Sequence, residues 1–370
     1  MEKKLVTLTM VAARASVSLA TASRVLSGGA RVVGADLAQR VLVAAEELGY
    51  VPNAHAQALA AGRNPALALI VHDVGDPYFA AIADGALRAA NSLGRMMIVA
   101  CTYRDPDREV AYVRMMHQQR TDAIILAGSG YRERVRTKNL QAALAAYRTS
   151  GGRVAMISQH HVDADAVLPD NRRGASAITR AMLELGHRSF AVMTGPDHLL
   201  TVRDRFLGTH SQLTRAGVEL PPANIVDGGF TREGGAAAVE RLLASGTLAK
   251  VTCLLILSDV MALGSMHALH AHGIRVPDQL SVAGFDDIPA VRDLTPALTT
   301  VHLPLEEMGA TALRLATKGS ETAPREPELV HVPATVVLRE STAGPGMTTP
   351  GAATPRARAG RPQRTREEVS

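Results

Sequence analysis

From Ala66 onward, short apolar runs alternate with stretches of helical period, and that rhythm restricts the chain to parallel-sheet α/β architecture. Ala66 to His72, Met96 to Cys101, Ala123 to Leu126 and Val154 to Ile157 read as buried strands. Helical patterns over Ala80 to Ser92, Asp107 to Gln119 and Arg132 to Arg148 separate them. A second series follows, with helices over Gly174 to Leu185, Arg203 to Ala216, Arg232 to Leu243 and Val260 to Ala271. Its strands are Phe190 to Met193, Asn224 to Val226, Cys253 to Ile256 and Ser281 to Phe285. Leu298 to Lys318 adds a strand and a helix, and Glu328 to Arg339 a final strand. Two doubly wound α/β subdomains account for this pattern.

The residues before Ala66 obey a different grammar. Thr9 is read as an N-cap, with Val11, Ala12 and Ala15 forming the inner face of a first helix. Ser18 caps a second helix, whose Ala22, Val25 and Leu26 turn inward while Leu19, Ala20, Thr21, Ser23 and Arg24 stay outside. A plain helical hairpin and a DNA-reading helix-turn-helix both fit these residues, and the outer face with its free helix N-terminus suits a major groove. Ala35 to Leu48 is a third helix, with Leu37, Val41, Leu42, Ala45 and Leu48 inward, closed by Gly49 and Pro52. Asn53 to Ala61 is a short helix candidate before Gly62, and Leu59 is its only large apolar residue.

With 46% hydrophobic and 20% charged residues in 370, the chain reads as a globular protein of several domains. The net charge of +5 is concentrated at the ends. Lys3, Lys4, Arg14, Arg24, Arg31, Arg40 and Arg63 face only Glu2, Asp36, Glu46 and Glu47, and Arg356, Arg358, Arg361, Arg364 and Arg366 face only Glu367 and Glu368. Nucleic acid is the natural partner for such ends, with solvated charge as the alternative. No export leader or membrane-length apolar run is visible, so the expectation is a cytoplasmic protein without a membrane partner. Cys101 and Cys253 read as buried thiols, and His160-His161 as solvent-facing. His187 reads as a turn residue. Gly128-Ser129-Gly130 lacks the third glycine of a dinucleotide fingerprint, and no catalytic triad or metal-ligand spacing can be assembled. A nucleotide-dependent enzyme is therefore disfavoured; no enzyme activity, metal or cofactor is expected. A solute-binding transport protein is disfavoured by the N-terminal helices.

Collinear blocks carry a resemblance. They include Val17-Ser18, Thr21-Ala22-Ser23-Arg24-Val25-Leu26, Glu46-Glu47-Leu48-Gly49-Tyr50, Pro52-Asn53 and Asp76-Pro77-Tyr78-Phe79. Asp122-Ala123-Ile124-Ile125-Leu126, Leu185-Gly186-His187-Arg188, Ser258-Asp259, Gly284-Phe285-Asp286-Asp287, Leu298-Thr299-Thr300-Val301 and Arg339-Glu340-Ser341-Thr342 continue the series. Over about Val6 to Thr342 the chain resembles the lactose-repressor (LacI/GalR) family of bacterial transcription regulators. The resemblance implies a three-helix headpiece over 1–52, a hinge helix over 53–63 and a periplasmic-binding-protein-like effector core over 64–342. The N-subdomain would take about 64–160 and 290–320, and the C-subdomain about 161–289 and 321–342. Residues 343–370 would be a disordered basic tail, in which Gly360-Arg361-Pro362 is too short a match to a minor-groove hook to carry weight.

The resemblance further implies a homodimer that binds a near-palindromic operator, most simply as a repressor, under control of a sugar or related metabolite. Leu19, Ala20 and Arg24 would face base edges, Thr21, Ser23 and Asn53 would position the backbone, and Thr9, Ser18 and His55 complete the DNA set. Leu59 would wedge the minor groove. Family usage places Gly where Ser16 stands, so Ser16 is strained if that position needs positive φ. Effector residues carried over are Asp76, Phe79, Ser129, Arg205, Asp259 and Asp286, in a cleft between the subdomains. Ser158, Ser258 and Leu303 stand where the family favours Asp, Asn and Gln, which points to an effector smaller or less hydroxylated than a hexose.

Overall fold

Residues 6–26, 33–51, 64–318 and 326–346 are described by the computed structural model. The hinge positions Asn53, His55 and Leu59, and the tail from residue 347, lie outside the described residues. At the N-terminus, α1 (Leu8–Ala15), α2 (Leu19–Leu26) and α3 (Ala35–Leu48) enclose a small core of Val11, Ala12, Ala15, Ala22, Val25, Ala38, Val41, Ala44 and Ala45. Thr7, not Thr9, caps α1: its side chain accepts from the Met10 N–H at 3.4 Å, and Thr9 is already helical and exposed. Ser18 caps α2, accepting from the Thr21 N–H at 3.1 Å.

The inner face of α3 differs from expectation. Leu37 and Leu42 are 38% and 50% exposed, while Ala38 and Ala44 take the inner positions. Both faces have helical spacing; the small side chains prevail because α1 and α2, themselves lined by Ala12, Ala15 and Ala22, pack close to α3. The α1–α2 turn passes through Ser16 at φ 53°, ψ 49°, a left-handed conformation that is unfavourable for a residue with a Cβ. Arg40 of α3 braces this turn by donating to the Ala15 and Ser16 carbonyls. Ser16→Gly should therefore stabilise the headpiece by about 1 kcal/mol. Thermal unfolding followed by amide exchange in α1 and α2 reads the gain, and a loss would show that the serine is suited to its turn.

Two compact units follow from the distribution of contacts. The first holds the described residues up to Gly174, with Pro196–Leu207 and His302–Thr335; the second holds Ala175–Gly195, Gly208–Val301 and the described residues from Val336. In the first unit, β1 (Asn64–Val71), β2 (Met97–Cys101), β3 (Thr121–Ala127), β4 (Arg153–Ile157) and β5 (Asp165–Pro169) join β11 (Leu329–Val332) in a six-stranded sheet. Its order is β11-β5-β4-β3-β1-β2, and the strand pairs are parallel. Helices α4 (Pro77–Ser92), α5 (Pro106–Gln118), α6 (Arg134–Thr149) and α11 (Leu305–Thr317) belong to the same unit. Segments 161–174, 196–207 and 326–335 lie in this unit and 290–301 in the other, unlike the sequence boundaries; β5 and β11, short strands without a clear alternating pattern, join this sheet.

In the second unit, β6 (Phe190–Thr194), β7 (Ile225–Asp227), β8 (Cys253–Ile256) and β9 (Ser281–Ala283) form a parallel sheet ordered β7-β6-β8-β9. Helices α9 (Arg232–Ala244) and α10 (Asp259–Ala271) belong to this unit, while α7 (Asn171–Glu184) and α8 (Leu200–Arg215) each run from one unit into the other. The span Glu328 to Arg339 is two strands rather than one. Pro333 interrupts it, and β12 (Thr335–Val337) pairs with β10 (Thr300–His302) instead of continuing β11.

Residues 343–346, expected within the tail, are described, and Ala343 is anchored. Buried His187 donates from Nε2 to the Ala343 carbonyl at 2.9 Å and shares a hydrogen bond with Thr252 through Nδ1. Ser281 Oγ also bonds the Ala343 carbonyl and accepts its N–H. His187 is thus a buried clamp rather than a plain turn residue. Cys253 is buried, as expected, and Cys101 is partly exposed. Among the described residues, no helix is long and apolar enough to cross a membrane.

Candidate functional site

The exposed face of α2 is the first candidate. Leu19 is 50% exposed, Ala20 and Arg24 are exposed, and Thr21 and Ser23 are half-buried at the edges of this face. Ser18 and Thr21 hydroxyls bond each other at 2.8 Å while Ser18 accepts the Thr21 N–H, which fixes the first turn of α2. A short helix presenting small polar groups, one leucine and one arginine has the dimensions of a major-groove reader.

The second candidate lies at the carboxyl edge of the first sheet, where parallel α/β proteins bind ligands. Its centre is His72, directly after β1. His72 Nε2 accepts the Ser129 N–H at 3.1 Å, so Nδ1 carries the proton and bonds Thr102 Oγ1 at 3.2 Å. Burial, reinforced by the Arg104 charge, lowers the His72 pKa to about 3, so the ring is neutral at physiological pH. Gly128 and Gly130 are packing residues: a Cβ would lie 2.5 Å from His72 Nε2 in one case and 2.5 Å from the Gln159 carbonyl in the other. The hydroxyl of Ser129 donates to the Gly130 carbonyl and accepts the Thr201 N–H, both at 3.0 Å.

Asp76 caps α4, accepting the Tyr78 N–H at 3.0 Å, and its other oxygen lies 3.6 Å from the Arg104 guanidinium. Burial lowers the Arg104 pKa against the opposing pull of Asp76 and Asp73. Phe79 is buried, with its ring edge-on to His72 and Tyr78 at 5.5 and 5.0 Å, so it organises the wall from beneath. Arg205 is likewise buried and donates from Nε to Asn171 at 2.9 Å. Leu303 is buried, and Ser158 is buried at φ 78°.

His160 reverses its expected exposure; only His161 is exposed. His160 Nδ1 donates to the Ser158 carbonyl at 3.2 Å, while buried Nε2 has no hydrogen-bond partner. Burial lowers its pKa to about 4, leaving Nε2 as a neutral acceptor. No periodic pattern marks this, because His160 lies in an irregular segment between Ser158 and His161, both at positive φ.

In the second unit, Ser258 begins α10 without a side-chain capping bond, and both oxygens of Asp259 are engaged. Thr300 Oγ1 donates to one oxygen at 2.7 Å and the Ile288 N–H to the other at 3.1 Å. Burial first, then the neighbouring Asp286 charge, raises the Asp259 pKa. Asp286 is buried at φ 119°. Asp287 meets Arg339 at 2.6 Å and Arg292 at 3.0 Å. Burial opposes its charge, but these arginines outweigh it and hold the Asp287 carboxyl below the usual range. Phe230, absent from the sequence-derived set, adopts φ 55° beside Gly195, an unusual conformation for a bulky side chain. Gly228-Gly229 before it was the available signal.

Residues 7–53 match the model of bacterial regulatory proteins of the lacI family, and residues 179–342 match the periplasmic binding protein-like domain. The chain is 30% identical to the HTH-type transcriptional regulator DegA of Bacillus subtilis (strain 168) over 334 residues, covering 90% of this chain and 96% of that protein. It is also 30% identical to the HTH-type transcriptional repressor PurR of Erwinia tasmaniensis over 338 residues, with the same coverage of 90% and 96%. Among solved structures, the lac repressor dimer bound to operator and the anti-inducer ONPF matches with TM-score 0.77 and 26% identity, covering 92% of this chain and 100% of that one. The transcriptional regulator CelR in complex with cellobiose matches with TM-score 0.66 and 28% identity, covering 91% and 99%. With a reading helix at its N-terminus and two parallel-sheet units after it, the chain belongs to the lacI family of bacterial regulatory proteins and is a DNA-binding transcriptional regulator.

Proposed function

We propose that the protein is a repressor that binds a near-palindromic operator as a homodimer and is controlled by a small-molecule effector in its core. The exposed, Ser18-capped face of α2 carries this reading. Leu19, Ala20 and Arg24 read base edges; Thr9, Ser18, Thr21 and Ser23, with Asn53 and His55 of the hinge segment, position the backbone; and Leu59 wedges the minor groove. Leu19 and Ala20 side chains lack hydrogen-bonding groups, so they read thymine methyl groups by apolar contact. Two half-sites require two copies of the chain.

The test is selection of operator fragments from genomic DNA with purified protein, followed by anisotropy on the winning site. A short near-palindrome bound far more tightly than random DNA is expected. Binding that depends on salt but not on sequence would leave basic charge as the whole explanation.

The effector is smaller or less hydroxylated than a hexose. Ser129 at the first sheet's carboxyl edge already spends its hydroxyl proton on the Gly130 carbonyl and accepts the Thr201 N–H, and buried Leu303 offers no polar group where the family favours Gln. The free acceptor at His160 Nε2 supports a ligand with one well-placed donor there. Asp76 and Arg205 are the charged effector residues of the first unit, and Asp286 is that of the second. An effector acts only through its different affinities for the DNA-binding and released states. Calorimetry with hexoses, pentoses, nucleosides and small acids tests this reading; tight hexose binding rejects it.

A further inference from the structure

We propose that Asp259 touches no effector but is the positioning residue that sets the backbone at Asp286. This rests on reading Asp286 as an effector residue. After β9 the chain must turn through Asp286 at φ 119° and Asp287 at φ 58°, two successive positive-φ residues that both carry a Cβ. Such conformations persist only where the surroundings over-determine them. The restraint comes mainly from one side chain. The Asp259 carboxylate accepts the N–H groups of Asp287 and Ile288, the two peptide units that follow Asp286. Its own N–H donates to the Phe285 carbonyl at 2.8 Å, so α10 grips the turn on both sides of Asp286.

The grip is itself held in place. Thr300 Oγ1 donates to Asp259 at 2.7 Å, and the Asp286 N–H donates to the Val301 carbonyl at 2.8 Å, so β10 steadies both partners. Gly284 leaves the room: a Cβ there would stand 2.1 Å from Asp259 Oδ1. Asp259 is 0% exposed and both of its oxygens are bonded within its own unit, so it presents no surface to a ligand. Asp286, at the apex of the turn, takes its direction from this arrangement. Asp287 faces away into Arg339 and Arg292.

Hydrogen exchange over residues 284–290 of the full-length protein, read by mass spectrometry, tests the assignment. Asp259→Ala should speed exchange of the Asp287 and Ile288 amides by roughly ten- to a hundredfold, the scale of one or two lost charge-assisted bonds. Asp259→Asn should leave them protected, because its carboxamide oxygen can accept both N–H groups while its nitrogen donates to Thr300. Gly284→Ala, which displaces the carboxylate without removing it, should match Asp259→Ala. Unchanged exchange in Asp259→Ala overturns the assignment. Exchange that rises equally in β6 and β8 overturns it too, since that would mark a general packing role.

The functional arm titrates operator-bound protein with D-ribose, cellobiose, adenosine and succinate. Asp259→Ala and Asp286→Ala should both lose whatever response the wild type shows, and Asp259→Asn should keep it. A response that survives in Asp259→Ala overturns the positioning role. A wild type that ignores all four probes counts against Asp286 as an effector residue, and exchange alone then decides whether Asp259 sets the turn.

Discussion

Arg339→Met should destabilise the protein by about 3 kcal/mol at neutral pH, toward the lower end of the cost of breaking a buried ion pair. Asp287 is only 4% exposed at its side chain and meets Arg339 Nη2 at 2.6 Å. Removing the guanidinium leaves a buried carboxylate with Arg292, which is half exposed and 3.0 Å away, as its remaining cationic partner. It also deprives the Leu298 carbonyl of a donor at 2.7 Å. Arg292 is why the low end applies: it stays attached and supplies part of the lost field. Methionine keeps the length and apolar stem of the side chain, so packing loss is a minor component.

The same pair fixes the sign of a pH effect. The Asp287 pKa is lowered in the folded state, so its contribution is fully present above the unfolded carboxylate pKa, near 4. It is lost as pH falls from there through the folded value. The gap between wild type and Arg339→Met should therefore be widest at neutral pH and shrink in acid. Urea unfolding at a series of pH values measures both quantities. A gap below about 1 kcal/mol at neutral pH, as for an exposed pair, would show that Asp287 is well hydrated. A gap unchanged in acid would place the lost stability elsewhere than in the carboxylate.

The ion pair also illustrates what a sequence discloses. Strand and helix alternation was legible because a parallel sheet buried on both faces demands continuous apolar runs such as Leu67 to Val71. The two-helix unit was legible through local chemistry, since Ser18 caps α2; the glycine preference of its turn came from the family resemblance, and Ser16 fills that turn at positive φ. Side-chain phase on α3 was not legible. Leu37 and Leu42 satisfy helical spacing as well as Ala38 and Ala44 do, and only the packing of α1 and α2 decides between them. Roles at the carboxyl edges were least legible. Asp259, His160 and Arg339 act through partners at 29, 2 and 52 positions' separation, set by loops with positive-φ residues rather than by any period. Their types could be read from the chain, but not whether each atom was already satisfied.

Arg24→Ala should weaken operator binding by roughly 2–6 kcal/mol, on the order of thirtyfold to ten-thousandfold, because a homodimer loses the contact in both half-sites and each base contact contributes about 1–3 kcal/mol. Arg24 is the basic residue of the exposed α2 face. Affinity for random DNA should change little if Arg24 reads a base, since no phosphate contact is lost. If it binds a phosphate instead, specific and random affinity fall together and the salt slope drops by about one per contact. Leu59→Ala provides a second, independent direction: loss of an apolar wedge should reduce operator affinity while leaving the salt slope unchanged, because no charge is removed. Anisotropy at several salt concentrations, on the selected operator and on scrambled DNA, separates these outcomes. Equal weakening on both DNAs by Arg24→Ala would remove it from base readout. Sequence preference would then have to come from Leu19, Ala20 and the deformability of the site, which apolar contacts and a minor-groove wedge can supply without a bidentate arginine.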